Sequence, residues 1–336
     1  MPDQFKLSNP PTDTISNVTF QPNSSQYLLA SSWDTYLHLY DVNTNGKRLK
    51  LDYEYPILDC CFSDANSAFA GGIGNALKFY DCNTGKSNVV GYHKQPISQV
   101  HFSTNESLLI TGSWDSTVGL WDPRVNGHQS AVKFLSQPGD VYTLDTASTS
   151  GGTYLVVGTE KRYVYIWDMR KLDQAVQMRD SSLKYQTRCI RCFPNGQGYA
   201  LASIEGRVAV EFFEQTPEQQ KRKYAFKCHR MKLDDIEFIY PVNVIAFHKV
   251  FNTFATGGCD SLVNVWDGFN RKRLVQLPQY PTSISSLGFS NDGSTLAIGS
   301  SYTYEKGELP ECEIVEPNIF VRNPSDQEVR PKQMIK

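Results

Sequence analysis

The sequence predicts an all-β ring, a seven-bladed propeller of four-stranded sheets, and three observations carry that prediction. Five segments close on an aromatic residue and an aspartate: LHLYD at 37–41, LKFYD at 77–81, VGLWD at 118–122, VYIWD at 164–168 and VNVWD at 263–267. Their aspartates recur at intervals of about 40–46 residues, with one gap of roughly twice that, which is the period of a four-stranded blade. Seven alternating runs end at Phe20, Phe62, Phe102, Leu144, Phe193, Phe247 and Phe289, and period-two alternation is the mark of half-buried strands. Helical periodicity tempts only at the short polar window PEQQKRK, 217–223.

Taken in order, the blades start near residues 15, 57, 97, 141, 187, 242 and 284. The third shows the grammar best: LLITGSWDSTVGLWD at 108–122 reads as strand b, a turn and strand c. The double gap between the fourth and sixth closing aspartates holds the fifth blade, whose strand c is RVAVEFF at 207–213. The seventh has ISSLGF at 284–289 and TLAIGSS at 295–301, then an acidic insertion at 302–317, read as a solvated loop, and the strand NIFVR at 318–322. Its outermost strand is missing, and QFKLS at 4–8 is spare. The N-terminal strand is therefore expected to complete the last blade, which removes the exposed edge of an open ring. Residues 1–322 form one WD40 propeller on this reading, and the tail from Asn323 is expected to be disordered.

The turn aspartates Asp34, Asp115 and Asp260 each precede a strand-c aromatic, Tyr40, Trp121 and Trp266, by the same spacing. In such propellers this aspartate joins a Ser or Thr, a His from the preceding loop and the aromatic in a buried hydrogen-bonded set, and His93 fits for the third blade. A Ser-His-Asp hydrolase is the competing reading, but the spacing recurs without the strained elbow that exposes a nucleophile. No enzyme is expected.

Composition narrows the function further. With 336 residues, 40% hydrophobic and 20% charged, the chain can bury a large core. A net charge of -2 gives no overall attraction to nucleic acid or anionic lipid. Met1 to Pro11 lacks the apolar stretch of a secretory signal, and no apolar run is long enough to span a bilayer, so a soluble intracellular protein with reduced thiols is expected. Cys189 and Cys192 form a CxxC, but an odd separation along a strand sends them to opposite faces, and no second pair stands at zinc spacing. Neither a metal nor a cofactor is expected.

Departures from the repeat are where function is sought. The residue before the turn aspartate, ordinarily small or polar, is Trp33 in blade 1 and Trp114 in blade 3. Either the indoles pack on neighbouring loops or they are paired aromatic anchors for a peptide. Aligning SIEGRVAVE (203–211) with SWDSTVGLW (113–121) puts Glu205 at the turn aspartate, Arg207 at the start of strand c and Glu211 in place of the tryptophan. Arg207 is thus placed to meet a ligand or to pair internally with a glutamate. Lys184, Arg188 and Arg191 lead into the same blade, and KRKYAFKCHRMK at 221–232 leads out of it. Alternation there points Tyr224, Phe226 and Cys228 one way and Lys223, Lys227 and His229 the other, with Arg230 the last basic residue before a loop. Clustered guanidinium groups suit carboxylates or a phosphate. A solvated basic loop is the bland alternative. Trp33, Arg188 and Arg207 are expected toward one mouth of the ring, with the basic cluster beside Trp33.

At SSLKYQTRCIR (181–191), GYALASIEGRVAVEFF (198–213), KYAFKCHR (223–230), YPVN (240–243) and FSNDGSTLAIGSSYTYE (289–305) the chain closely resembles the WD-repeat mitotic checkpoint family named for budding uninhibited by benzimidazole. SSWDTYLHLYDV (31–42) and GSWDSTVGLWDPR (112–124) extend the likeness over nearly the whole chain. The messenger-RNA export propeller of the nuclear pore shares the IEGRVA and FKCHR motifs, but SSLKYQTRCIR and YPVN look like the checkpoint family. The resemblance implies a nuclear and partly cytoplasmic adaptor that gathers on kinetochores in mitosis. It implies that a short motif of checkpoint kinases and kinase-like proteins lies across one face, against Trp33, Trp114 and Arg188. It also implies that Arg207, Arg230 and, less strongly, Lys227 hold the phosphothreonine of Met-Glu-Leu-Thr-like repeats in a kinetochore scaffold protein. The assembly that inhibits the anaphase-promoting complex is a further implied partner, and neither membrane nor nucleic acid is one.

Overall fold

The computed structural model describes residues 4–124 and 131–332. Seven four-stranded antiparallel sheets and one two-stranded sheet make up its β-structure. Blade 3 shows the repeat unit: Ile97–Ser103, Leu108–Ser113, Thr117–Trp121 and Lys133–Ser136, strands a to d from channel to rim. Blade 7 is completed from the other end of the chain, with Gln4–Lys6 paired outside Asn318–Arg322 and Phe5 opposite Val321.

One sheet cannot bury both of its faces, so the core lies between blades. Leu29, Leu37 and Leu39 of blade 1 pack on Ile57, Cys60 and Phe62 of blade 2, and the same layering recurs around the ring. The b strands are buried on both faces, which is why Gly198–Ser203 reads GYALAS without alternation. Strand a has no neighbouring strand on its channel side, and its amides are satisfied across blade boundaries. Val100 N–H donates to Asp59 (2.8 Å), Ile190 N–H to the Thr143 hydroxyl (2.9 Å) and Val18 N–H to the Ser286 hydroxyl (2.8 Å).

Because successive strands reverse direction, the d–a connections and the b–c turns share one face of the disc, called the upper face below. Trp33, Trp114, Glu205 and Arg230 all sit in these connections.

Three regions differ from expectation. The tail does not remain disordered beyond Asn323: Asp326–Val329 is a helical turn started by the Glu328 carboxylate, which accepts from the Ser325 amide (2.9 Å). Val329 is buried in the cluster of Val263, Val265 and Leu296, and its carbonyl accepts from the Thr253 hydroxyl (2.6 Å). One aliphatic side chain flanked by polar residues is a weak signal, and only the docking site reveals it.

The segment after Arg230 is a hairpin rather than a loop, Arg230–Leu233 paired with Ile236–Ile239. Asp234 and Asp235 turn it with positive φ (47° and 64°), the geometry that two-residue hairpin turns require. His229 does not point outward with the lysines, because the blade-5 strand ends at Lys227 and His229 is drawn into blade 6. The acidic insertion is tied at its start, where Tyr302 is buried and the Ser283 hydroxyl donates to Glu305 (2.6 Å). Its later residues are largely exposed.

Candidate functional site

The turn aspartates are built into the blades. In blade 3, His93 Nδ1 meets Asp115 (3.1 Å) and its Nε2 meets the Thr111 hydroxyl (2.7 Å), which also accepts from Trp121 Nε1 (2.8 Å). Blade 6 repeats the set as His229, Asp260, Thr256 and Trp266. In blade 1 the histidine comes from strand c instead, His38 to Asp34 at 2.9 Å. Burial works against the Asp34 charge, but the hydrogen bond from His38 and the amides of Thr12 and Tyr36 prevail and bring its carboxyl to about 2. The His-Asp-hydroxyl order resembles a catalytic relay, yet Thr111 is fully buried under Trp121 and no substrate can reach it. The indole is packed so closely on Gly91 that a Cβ there would lie 2.1 Å from the ring. These sets hold turns.

Above them the upper face opens on the central channel. A cavity of about 450 Å³ is lined by strand-a residues of all seven blades and by Trp33, Trp114, Arg188, Tyr142 and Tyr304. Trp33 is 43% exposed, so its ring is presented rather than packed away. Arg188 lies exposed and donates to Asn243 Oδ1 (3.3 Å), and among the described residues no carboxylate pairs with it. Arg191 is placed deeper, along the channel wall, where it donates to the Ile190 carbonyl (2.8 Å). Burial pushes the Asp59 carboxyl, also on that wall, up to about 6 against the Val100 amide and the Arg191 charge. Tyr142, Asn243 and Tyr304 were not singled out from sequence, and no local pattern marks a channel-facing residue among seven similar strands.

The basic cluster is a second place, not part of this mouth and not beside Trp33. Arg207 and Arg230 line a separate cavity of about 610 Å³ on the same face, with Lys184, Tyr185, Glu205 and Ile239. Arg207 stands directly opposite Lys227 in the strand pairing, and like charges so placed are unfavourable. Gly206, with φ of 60°, turns the chain between Glu205 and Arg207. Arg230 is anchored by the carbonyls of Glu205 (2.6 Å) and Gly206 (3.2 Å). Arg207 lines this cavity, and its Nε lies 3.7 Å from Glu205, the internal pairing. Glu237 of the hairpin, absent from the sequence-derived site, bridges Lys227 (3.2 Å) and Arg230 (3.0 Å). The Asp-Asp turn between alternating apolar residues is the signal that could have disclosed its hairpin.

Guanidinium groups, an ammonium and exposed rings can grip an anionic peptide. The WD domain, G-beta repeat family matches residues 87–122 and 237–267. The solved structure of U3-55K superposes with a TM-score of 0.80, covering 96% of this chain and 98% of that one at 17% identity, which shows the fold. The poly(A)+ RNA export protein of Schizosaccharomyces pombe is 32% identical over 97% of this chain and 92% of its own length, a more distant paralogue. The mitotic checkpoint protein BUB3.1 of Arabidopsis thaliana is 49% identical over 98% of this chain and 95% of its own length. With that identity along nearly both full lengths, on a ring of seven WD-repeat blades, the chain belongs to the BUB3 family of mitotic spindle checkpoint proteins.

Proposed function

We propose that this protein is a non-catalytic adaptor with two peptide sites on its upper face. Trp33, Trp114 and Arg188 take a short motif of checkpoint kinases, the indoles as apolar anchors and the guanidinium as partner of an acidic side chain. Arg207, Lys227 and Arg230 take the phosphothreonine of a Met-Glu-Leu-Thr-like repeat in a kinetochore scaffold. Holding both peptides at once couples the kinase to the kinetochore.

The observation that carries the second site is the facing pair Arg207 and Lys227, with Arg230 bound to the intervening turn. Three cations stand against two carboxylates there, Glu205 and Glu237, and a phosphate dianion is a ligand that such an excess of N–H donors suits.

Titration of a fluorescent repeat peptide, phosphorylated and not, tests this. The phosphorylated form should bind at least about tenfold more tightly, and Arg207→Ala should remove the difference; equal affinities for the wild-type protein would refute the phosphate role. A tagged copy should gather on unattached kinetochores in mitosis, and confinement to nuclear pores would favour an export role instead.

A further inference from the structure

The three cations of the proposed phosphate site are not equally ready for a ligand. Glu205, beside Arg207, is fixed: it is largely buried and accepts from the Lys184 amide (3.0 Å), as a turn carboxylate must. Glu237 is held differently. Its side chain is 43% exposed, and its only side-chain hydrogen bonds and ion pairs among the described residues are with Lys227 and Arg230.

The strand that carries Glu237 is also lightly attached. All four residues of Ile236–Ile239 are exposed. Near its base, the Tyr240 amide donates to the His229 carbonyl (3.1 Å) and Arg230 donates to the Glu205 and Gly206 carbonyls; farther along, Glu237 pairs with Lys227 of blade 5 and, across the hairpin's own two strands, with Arg230.

We infer that Glu237 is an internal counter-ion of the phosphate site, occupying Lys227 and Arg230 until an incoming anion displaces it. The inference deepens the phosphopeptide reading and rests on it. A carboxylate and a phosphate oxygen ask for the same N–H donors, so the two cannot both be satisfied there, and binding exchanges one anion for another. The exchange sets a floor under which weakly charged segments are not held. It also moderates the dependence of binding on salt, since the site gives up one charge as it gains another. On displacement the hairpin loses its Glu237 tie to Lys227 of blade 5 and the Glu237–Arg230 pair between its own strands, so ligand binding should loosen residues 230–239.

The test is to titrate the phosphorylated repeat peptide into the wild-type protein and Glu237→Gln at two salt concentrations. The variant should bind about threefold to tenfold more tightly and lose affinity more steeply as salt rises. Unchanged or weaker binding by Glu237→Gln would overturn the inference and make Glu237 a positioning residue for Lys227 and Arg230. The two readings fail separately: if wild-type protein does not distinguish the phosphorylated from the plain peptide, the phosphate site itself is wrong. Amide exchange of 230–239 should quicken on adding peptide to the wild-type protein, and slower exchange there would also count against displacement.

Discussion

Blades 3 and 5 have the same backbone and different contents. In both, the carboxylate of the b–c turn accepts the amide of the incoming loop, Asp115 from Lys94 (2.9 Å) and Glu205 from Lys184 (3.0 Å). Around that shared bond almost everything else has changed. Where blade 3 has His93, Thr111 and Trp121 in one hydrogen-bonded set, blade 5 has Leu183, Leu201 and Glu211, all buried. Glu211 faces Arg179 of blade 4, whose guanidinium also donates to the carbonyls of Phe212 (2.9 Å) and Phe213 (3.2 Å). Thr117, whose hydroxyl serves Asp115 (2.6 Å), becomes Arg207. The turn carboxylate is therefore the part that these two blades share, and the position two residues later is free to serve a ligand once the rest is replaced.

The largest expected effect tests the blade-3 side of this contrast. Trp121→Ala removes a buried indole and its bond to Thr111, and should cost about 3–5 kcal/mol in urea unfolding. A loss below about 1 kcal/mol would show that the set does not carry the blade.

Next comes Asp115→Ala, which strands the Lys94 amide and the His93 ring and should cost about 1–3 kcal/mol. Peptide affinity of the folded variant should not change, and a lost affinity at unchanged stability would make the turn part of the binding site.

Arg207→Ala sharpens the contrast from the other side. It relieves the opposition to Lys227 and leaves the turn bond of Glu205 in place, so stability should stay within about 0.5 kcal/mol. Affinity for the phosphorylated peptide should fall about 10–100-fold.

The smallest effect is in pH. Burial holds the His93 imidazole below its usual value despite Asp115. The unfolded chain therefore takes up the proton first, and stability from this site is full above about 6.5 and is lost as pH falls below it. Amide protection in blade 3, relative to the intrinsic exchange rate at each pH, should fall between pH 7 and 5.5, less so in His93→Gln, and blade 5, with Leu183 at the same place, should not share that dependence.

Much of this was legible beforehand. Seven strand starts, the Trp-Asp closures and the spare N-terminal strand specify the ring, because each depends on alternation and spacing within a few tens of residues. Trp33, Trp114 and Arg207 stood out because each fills a repeated position with the wrong kind of residue for folding. His229 was misread because strand alternation was carried two residues past the end of the strand at Lys227. Val329 was missed because the partners that bury it lie far away in sequence, at Val263, Val265 and Leu296.

The sequence by itself determined how many blades there are, how the ring closes and which turns depart from the repeat, since those are properties of periodic local pattern. Only the tertiary structure decided that the aromatic mouth and the basic cluster are two places rather than one, and that Glu237 already sits on Lys227 and Arg230. The physical reason is that charges interact through space: strand register set Lys227 against Arg207, and a hairpin folded back over blade 5 brought the opposing carboxylate to them.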